Sequence, residues 1–529
     1  MAKMLGVMLD CSRNAVMRPE KVVEFASIIA KMGYNTLMLY TEDTYEVENQ
    51  PYFGYRRGRY SIRELQEMDE ACAAVGVTLT PCIQTLAHLN CIFKWENAYR
   101  DILDTADILL AGAEKTYQLI DDMFASLSKA LRTRTIHIGM DEAYLVGLGK
   151  YLQENGFRDR FDVINEHLHK VCEIAEKYGY KPLIWSDMFK KLALNSTDQY
   201  ADMDDDAITA KAALPENVSL VYWDYYSVDY DRYVRMIRTN QKFRRPVIFA
   251  GGAWTWKGFS PDNQFSFDTT AAALRACKDC GVEDIFLTVW GDDGDECSKF
   301  AILPALLYGA EIWKGNWDME AIKAKFREIV GVEWDDFLAI DRMNLPKEAL
   351  SKYQNSSKYL LYNDPLAGLL DHVCDGSEDA YYRELAETLK KVPDMGKFQY
   401  IFKKYETLAD ALAVKSDLGI RSRALYLAGD KVGLKKLAEE DYPEAIRRIQ
   451  AFYEALRAEW YAENKPQGFE IQDIRLGGLL LRLQNASRLI LDYVAGNIPS
   501  LPELEEPVLP DDGGRTGWAK IVSANVICH

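Results

Sequence analysis

The chain has 529 residues, with 63 Lys and Arg against 81 Asp and Glu, a formal net charge of −18. At 48% hydrophobic and 27% charged residues the composition is that of a globular protein and excludes global disorder. The acidic balance argues against a nucleic-acid partner and against an anionic membrane surface, since both need basic side chains to meet phosphate.

The N-terminal apolar run stops at Asp10, without the long apolar core or the small-residue cleavage site of a secretory signal. No window of about 18 apolar residues occurs anywhere, so no transmembrane helix is expected, and the expected compartment is the cytoplasm. Short β-branched runs then alternate with helical patterns. Strands are predicted at Leu5–Leu9, Thr36–Tyr40, Val77–Pro81, Thr135–Ile138, Pro182–Trp185, Ser219–Trp223, Val247–Ala250 and Ile285–Trp290. Helices are predicted at Pro19–Met32, Ser61–Val75, Ala111–Leu131, Arg160–Tyr178, Tyr230–Asn240 and Thr269–Cys280, several closed by a Gly suited to the left-handed C′ position. This alternation predicts a (β/α)8 TIM barrel of the α/β class, with an open doubly wound sheet as the alternative. Cys277 and Cys280 form a CxxC with no second pair, which reads as reduced thiols at a helix end, and no metal site is expected. Beyond Trp313 the strand signal ends. Amphipathic helices are predicted at Pro346–Leu361, Asp379–Lys391, Gly396–Val414, Arg421–Glu440 and Glu444–Ala462, and a Pro/Asp/Gly-rich terminal loop from Ile498. The expected domains are a barrel over residues 1–330 and an all-α helical domain over 331–529, divided near Gly331–Asn344.

In a barrel the loops after the strands converge on one face and carry the active site. Polar and aromatic residues concentrate there: Asp10 and Arg13; Thr41, Glu42 and Asp43; Gln84 and His88; His137, Asp141 and Glu142; Trp185, Ser186 and Asp187; Tyr222 to Tyr226; Trp254 and Trp256; Trp290, Asp292 and Asp293. Five of the eleven tryptophans lie at these strand ends, interleaved with carboxylates. Singly, a Trp is core more often than ligand platform. Together they fit a sugar, whose C–H faces stack on indoles and whose hydroxyls pair with Asp, Glu, His and Arg. Asp141-Glu142 follows a strand, not a charged helical face. One carboxyl there can act as general acid/base. Neighbours at one strand end cannot straddle a glycosidic bond as an opposed pair would, but they suit a reaction in which the second carboxylate steers a nucleophile carried by the substrate.

These motifs resemble the family 20 glycoside hydrolases, the β-N-acetylhexosaminidases. The family's His-x-Gly-x-Asp-Glu stands here as HIGMDE, His137 to Glu142; the segment from Leu9 to Asp43 is similar to its first βαβ segment, with its substrate-binding arginine at Arg13; Pro81 and His88 match its Pro-x-x-x-x-Pro-Gly-His stretch, and Trp290 with Asp292 its Trp-x-acid element. The resemblance covers residues 5–315 and implies exo-acting removal of terminal N-acetylglucosamine or N-acetylgalactosamine by a retaining, substrate-assisted route without metal or cofactor. It implies Glu142 as general acid/base and Asp141 as the group that orients the 2-acetamido. It further implies Arg13 and Asp292 on sugar hydroxyls, His88 and His137 at the site, and Trp185, Trp223, Trp290 and Trp254 as pocket walls.

Three departures stand out. Gln84 replaces the family's acid and Leu86-Ala87 its Pro-Gly, which puts a buried Asp–His relay in question; strand seven offers no acetamide-binding tyrosine, for which Tyr225 is the substitute and Tyr226 the alternative. The N-terminal α+β domain common in the family is expected to be absent. The competing readings are a non-catalytic sugar-binding barrel, a glycosidase with opposed carboxylates such as Glu142 and Asp292, and a helical interaction module on a vestigial barrel. The expected partner is a small N-acetylhexosaminide, and the apolar stripes of the helical domain raise a homodimer.

Overall fold

The structure is a computed structural model that describes residues 3–194, 200, 214–344, 355–510 and 517–526. Eight parallel strands close a barrel: β1 (Leu5–Asp10), β2 (Thr36–Thr41), β3 (Thr78–Ile83), β4 (Thr135–His137), β5 (Lys181–Trp185), β6 (Ser219–Trp223), β7 (Val247–Gly252) and β8 (Ile285–Val289), with β8 paired to β1. The strands are apolar on both faces because helices cover the outside while side chains fill the inside. The helices between them include α1 (Pro19–Met32), α2 (Ile62–Ala74), α3 (Glu114–Ala130), α4 (Arg160–Lys177), α5 (Tyr230–Gln241) and α6 (Asn263–Asp279). Pro19 opens α1 where its missing N–H is no loss, and Gly33 closes it with φ +105°. Ser61 and Glu64 form a reciprocal capping box that starts α2.

The chain forms two compact units. One comprises residues 1–254, 264–291 and 305–330; the other comprises 255–263, 292–304 and 331–529. The stretches that follow β7 and β8 thus belong with the C-terminal helices, a partition invisible to a reading that follows the chain continuously. The second unit is helical, with α7 (Glu378–Lys390), α8 (Gln399–Lys415), α9 (Tyr442–Glu463) and α10 (Glu470–Ala495) as its long elements.

Several expectations are corrected. The predicted helix 421–440 is broken: one helix ends at Leu427, Gly429 adopts φ +69°, and Asp430 caps a new one. Helix α6 starts at Asn263, six residues ahead of Thr269, the predicted start. A two-stranded antiparallel element, Leu103–Thr105 with Ile108–Leu109, was not expected. Short helices Pro502–Glu505 and Trp518–Val522 interrupt the predicted terminal loop. Of the predicted helix 346–361, residues 346–354 lie outside the described residues, as do 511–516 of the tail.

Register brings the site together. Asp10 pairs with Tyr40, Tyr40 with Cys82, and Cys82 with His137, so the ends of β1 to β4 lie at one level. Asp10 closes the ring at that level. Its Oδ1 accepts from Ser12 N at 3.0 Å, Ser12 Oγ at 3.0 Å and Arg13 N at 3.3 Å, and its Oδ2 accepts from Gly291 N at 2.9 Å, just past β8. Asp10→Ala strands these buried donors and is expected to cost about 3 kcal/mol; a urea midpoint unchanged from wild type would contradict this.

Candidate active site

Four strand ends supply one connected polar network. From β2, the Tyr40 hydroxyl donates to Glu42 Oε1 at 3.2 Å. Arg13, after β1, donates from Nε to the same Glu42 oxygen at 2.9 Å, and its guanidinium lies over the rings of Tyr40 and Trp290 at 5.4 and 5.3 Å. Burial, only partly offset by Arg13 and His88, raises the Glu42 carboxyl above its usual range. From β3, Gln84 donates Nε2 to the Tyr40 hydroxyl at 3.0 Å and to Asp141 Oδ1 at 2.8 Å, while its Oε1 accepts from Met140 N at 3.1 Å.

The amide of Gln84 therefore holds the catalytic-face turn after β4 in place. In that turn Gly139, Met140 and Glu142 have φ of +71°, +70° and +51°. A Cβ on Gly139 would lie 2.0 Å from Gln84 Oε1, so only glycine fits. The turn separates two adjacent carboxylates by environment. Asp141 is 8% exposed, whereas Glu142 is exposed to solvent. His88 Nε2 lies 3.2 Å from Asp141 Oδ2 and 3.8 Å from Glu142 Oε2. Burial would raise the Asp141 pKa, yet the charge of His88 and hydrogen bonds from His88 and Gln84 hold it below the usual carboxylate range. Burial would likewise lower His88, but Asp141 outweighs it and pushes the imidazole up to about 9. Gln84 in place of an acid does not leave His88 idle: the histidine serves Asp141 directly.

From β5, Asp187 Oδ2 accepts the Glu142 backbone N–H at 3.2 Å and Oδ1 accepts from Trp223 Nε1 at 3.5 Å. Burial and the charge of Asp141 raise its pKa well above the carboxylate range. Glu142 Oε1 accepts from the Tyr144 hydroxyl at 3.2 Å, and Lys191 Nζ donates to that hydroxyl.

Aromatic rings surround the network. Trp185 lies 6.2 Å from Trp290 and 4.3 Å from His137 between ring centroids. Trp223 stacks on Tyr225 at 5.2 Å. Tyr225 is buried, with its hydroxyl hydrogen-bonded to Trp290 and Thr288. Trp254 donates its indole N–H to the Tyr225 carbonyl at 2.9 Å and packs against Tyr226 and Phe265, so it braces the loop that carries both tyrosines. His137 is buried and held neutral by burial, which lowers it to about 3; its Nδ1 accepts from Gly139 N. His137 Nε2 and Trp185 Nε1 are buried with no hydrogen-bond partner among the described residues.

Of the residues expected at the site, the structure brings together Arg13, His88, His137, Asp141, Glu142, Trp185, Trp223, Tyr225, Trp254 and Trp290. Asp292 belongs to the second compact unit and is half-buried there. Six further residues join the network: Glu42, Gln84 and Asp187, noted from sequence only as strand-end polar residues, and Tyr40, Tyr144 and Lys191, which sequence did not single out. Glu42 and Asp187 stand at strand ends and carried that signal; Tyr40 and Tyr144 read as ordinary apolar positions. Among the described residues no group of three or more His, Cys, Asp or Glu side chains could hold a metal ion.

The sequence model of the glycosyl hydrolase family 20 catalytic domain matches residues 4–229, and that of the glycoside hydrolase 20C C-terminal domain matches residues 335–522. The chain belongs to the family 20 glycoside hydrolases. Solved structures match parts of the chain at low identity. The exo-β-N-acetylglucosaminidase of Vibrio harveyi in complex with N-acetylglucosamine is 13% identical, with 64% of this chain and 58% of that one covered and a TM-score of 0.46. The β-N-acetylhexosaminidase of Bacteroides fragilis NCTC 9343 is 17% identical, with 58% and 65% covered and a TM-score of 0.44. That of Streptomyces coelicolor A3(2) is 17% identical, with 62% and 69% covered and a TM-score of 0.46. The chain thus spans 58% of the Vibrio harveyi protein's length and 65% of the Bacteroides fragilis one's. No helix among the described residues is long and apolar enough to cross a membrane.

The His88–Asp141 pair makes stability pH-dependent. His88 titrates near 6.5 when unfolded and at about 9 when folded. Its contribution is fully present below about pH 6.5 and is lost as pH rises through about 9. His88→Gln should therefore lose less stability than wild type between about pH 6 and pH 9.5 in urea titrations. Parallel pH curves for the two proteins would show that the pair is not charged in the native state.

Proposed function

We propose that the chain is an exo-acting β-N-acetylhexosaminidase that removes terminal non-reducing N-acetylglucosamine or N-acetylgalactosamine by a retaining, substrate-assisted mechanism. One observation carries this reading: within a single dipeptide, Asp141 is buried and held as a carboxylate by His88 and Gln84, while Glu142 is exposed with one oxygen on a tyrosine. Opposed carboxylates of the usual retaining or inverting kind stand astride the scissile bond; adjacent ones of unequal burial suit different tasks on one face of the sugar. Family membership supports the same mechanism, because family 20 is an exception to two-carboxylate catalysis.

In this reading Glu142 gives its proton to the glycosidic oxygen as the bond to C1 breaks. The acetamide carbonyl oxygen of the substrate attacks C1 from the other face and forms an oxazolinium ion. Asp141, already ionised, accepts the acetamide N–H and offsets the positive charge that develops there. Tyr225, whose hydroxyl feels the charge of Asp141, supplies the acetamide hydrogen bond expected of the family's tyrosine. Glu142, now a carboxylate, takes a proton from water, which opens the oxazolinium at C1 and returns the β-configured sugar. Arg13, with Glu42, holds hydroxyls at the non-reducing end, and Trp185, Trp223 and Trp290 form apolar walls. Hydroxyls held there are the ones a longer chain would need for linkage, hence exo action.

Glu142→Gln should fold normally and lower turnover of natural glycosides by about 10² or more, with a smaller loss on nitrophenyl N-acetylglucosaminide, whose leaving group needs little protonation. Equal losses on both substrates would remove Glu142 as the acid. Asp141→Asn should impair both alike, because charge on the acetamide builds whatever the leaving group. In a time course on a chitin oligosaccharide, monosaccharide should appear first; internal fragments ahead of it would contradict exo action.

A further inference from the structure

Around Glu142 the structure holds a closed ring of contacts that the family mechanism does not use. The Glu142 backbone, at φ +51°, donates its N–H to Asp187 Oδ2 at 3.2 Å. Lys191 Nζ lies 3.9 Å from that same Asp187 oxygen, donates to the Tyr144 hydroxyl and sits 4.3 Å from the centre of the Tyr144 ring. The Tyr144 hydroxyl returns to Glu142 Oε1 at 3.2 Å. Lys191 and Asp187 are both buried, at 6% and 5% exposure.

The direction of these hydrogen bonds is fixed by chemistry. An ammonium has only donors, so Lys191 occupies a lone pair of the Tyr144 oxygen. The hydroxyl proton of Tyr144 is then left to point at Glu142. Burial, followed by the charges of Glu142 and Asp187, raises the Tyr144 pKa, so the phenol keeps that proton throughout the working range.

We propose that Tyr144 and Lys191 are positioning residues for the acid/base carboxylate: Lys191 fixes the Tyr144 hydroxyl so that its proton stays on Glu142 Oε1, which holds the carboxylate in one orientation and leaves Oε2 for the proton exchanged with the glycosidic oxygen and with water. This rests on Glu142 being the general acid/base. The pair serves the second half of the cycle above all, in which Glu142 is a carboxylate that must stay in place to take the proton of water. The groups that face Glu142 are His88 from the stretch after β3, Asp141 beside it, Asp187 and Lys191 from the stretch after β5, and Tyr144.

The test is kcat and KM on the N-acetylglucosamine disaccharide of chitin and on nitrophenyl N-acetylglucosaminide for wild type, Tyr144→Phe and Lys191→Met, with folding checked by circular dichroism. Tyr144 is 40% exposed, so the phenyl ring is tolerated without a packing defect. The expected result is a kcat on the disaccharide lowered about tenfold in Tyr144→Phe and by less in Lys191→Met, a smaller loss on the nitrophenyl glycoside, and little change in KM. A merely structural role would lower kcat on both substrates alike. Equal losses on the two substrates, or no loss on the disaccharide, in Tyr144→Phe overturn the proposal; should that variant not fold, the same outcome in Lys191→Met overturns it equally. The underlying reading fails separately, and visibly, if Glu142→Gln keeps wild-type rates on natural glycosides.

Discussion

The buried charge of Asp141 is the constraint around which this site is built. An ionised carboxylate removed from water costs several kcal/mol unless protein groups replace its solvation, and Asp141 obtains that replacement from two strand ends at once. Gln84 supplies an amide N–H and His88 a positive charge. Neither could reach it unless β3 and β4 ended at one level, which the Cys82–His137 pairing secures. The same amide of Gln84 continues to Tyr40, and Tyr40 to Glu42 and Arg13, so the solvation of one carboxylate orders half of the barrel mouth.

Backbone strain follows from the same requirement. To present Asp141 inward and Glu142 outward from consecutive positions, the chain reverses through Gly139, Met140 and Glu142 with positive φ, and His88 across from it does the same. Non-glycine residues in that region cost of order 1–3 kcal/mol each and persist only where surrounding contacts over-determine them. Here the contacts are visible: Met140 N–H on Gln84, Glu142 N–H on Asp187 and the His88 N–H on Asp107. The result is two carboxylates one residue apart with unlike surroundings, the separation of roles that acid–base chemistry at a single strand end needs.

The barrel was legible because its signals are local. The β-branched runs and the glycine after α1 state where elements begin and end, and the rule that barrel loops converge puts Arg13, His88 and Asp141 on one face. What escaped was partner choice. Gln84 was visible as a missing acid, but a sequence cannot show that an amide would bridge Tyr40 to Asp141. Tyr144 reads as an exposed apolar residue because its role depends on Lys191, 47 positions away. Among the helices, the break at Gly429 was hidden by an apolar pattern that continues across it, and the start of α6 by the polar-aromatic run NQFSFD, which has no helical period.

The assignment of residues 292–304 to the helical unit has a consequence for how the protein is made. Asp293 and Glu296 lie in that stretch, and their cationic partners are Lys358 and Arg475. Asp293 precedes these by 65 and 182 residues. At about 5–20 residues per second of synthesis, the acidic stretch after β8 emerges from the ribosome seconds to tens of seconds before the side chains that neutralise it. All the barrel strands are by then complete, while Asp293 and Glu296 still wait for their partners. Lys358 arrives first and Arg475, on α10, last, so the ion-pair set of this stretch is complete only once α10 has been made, and a nascent chain halted short of that helix holds one of the two cations.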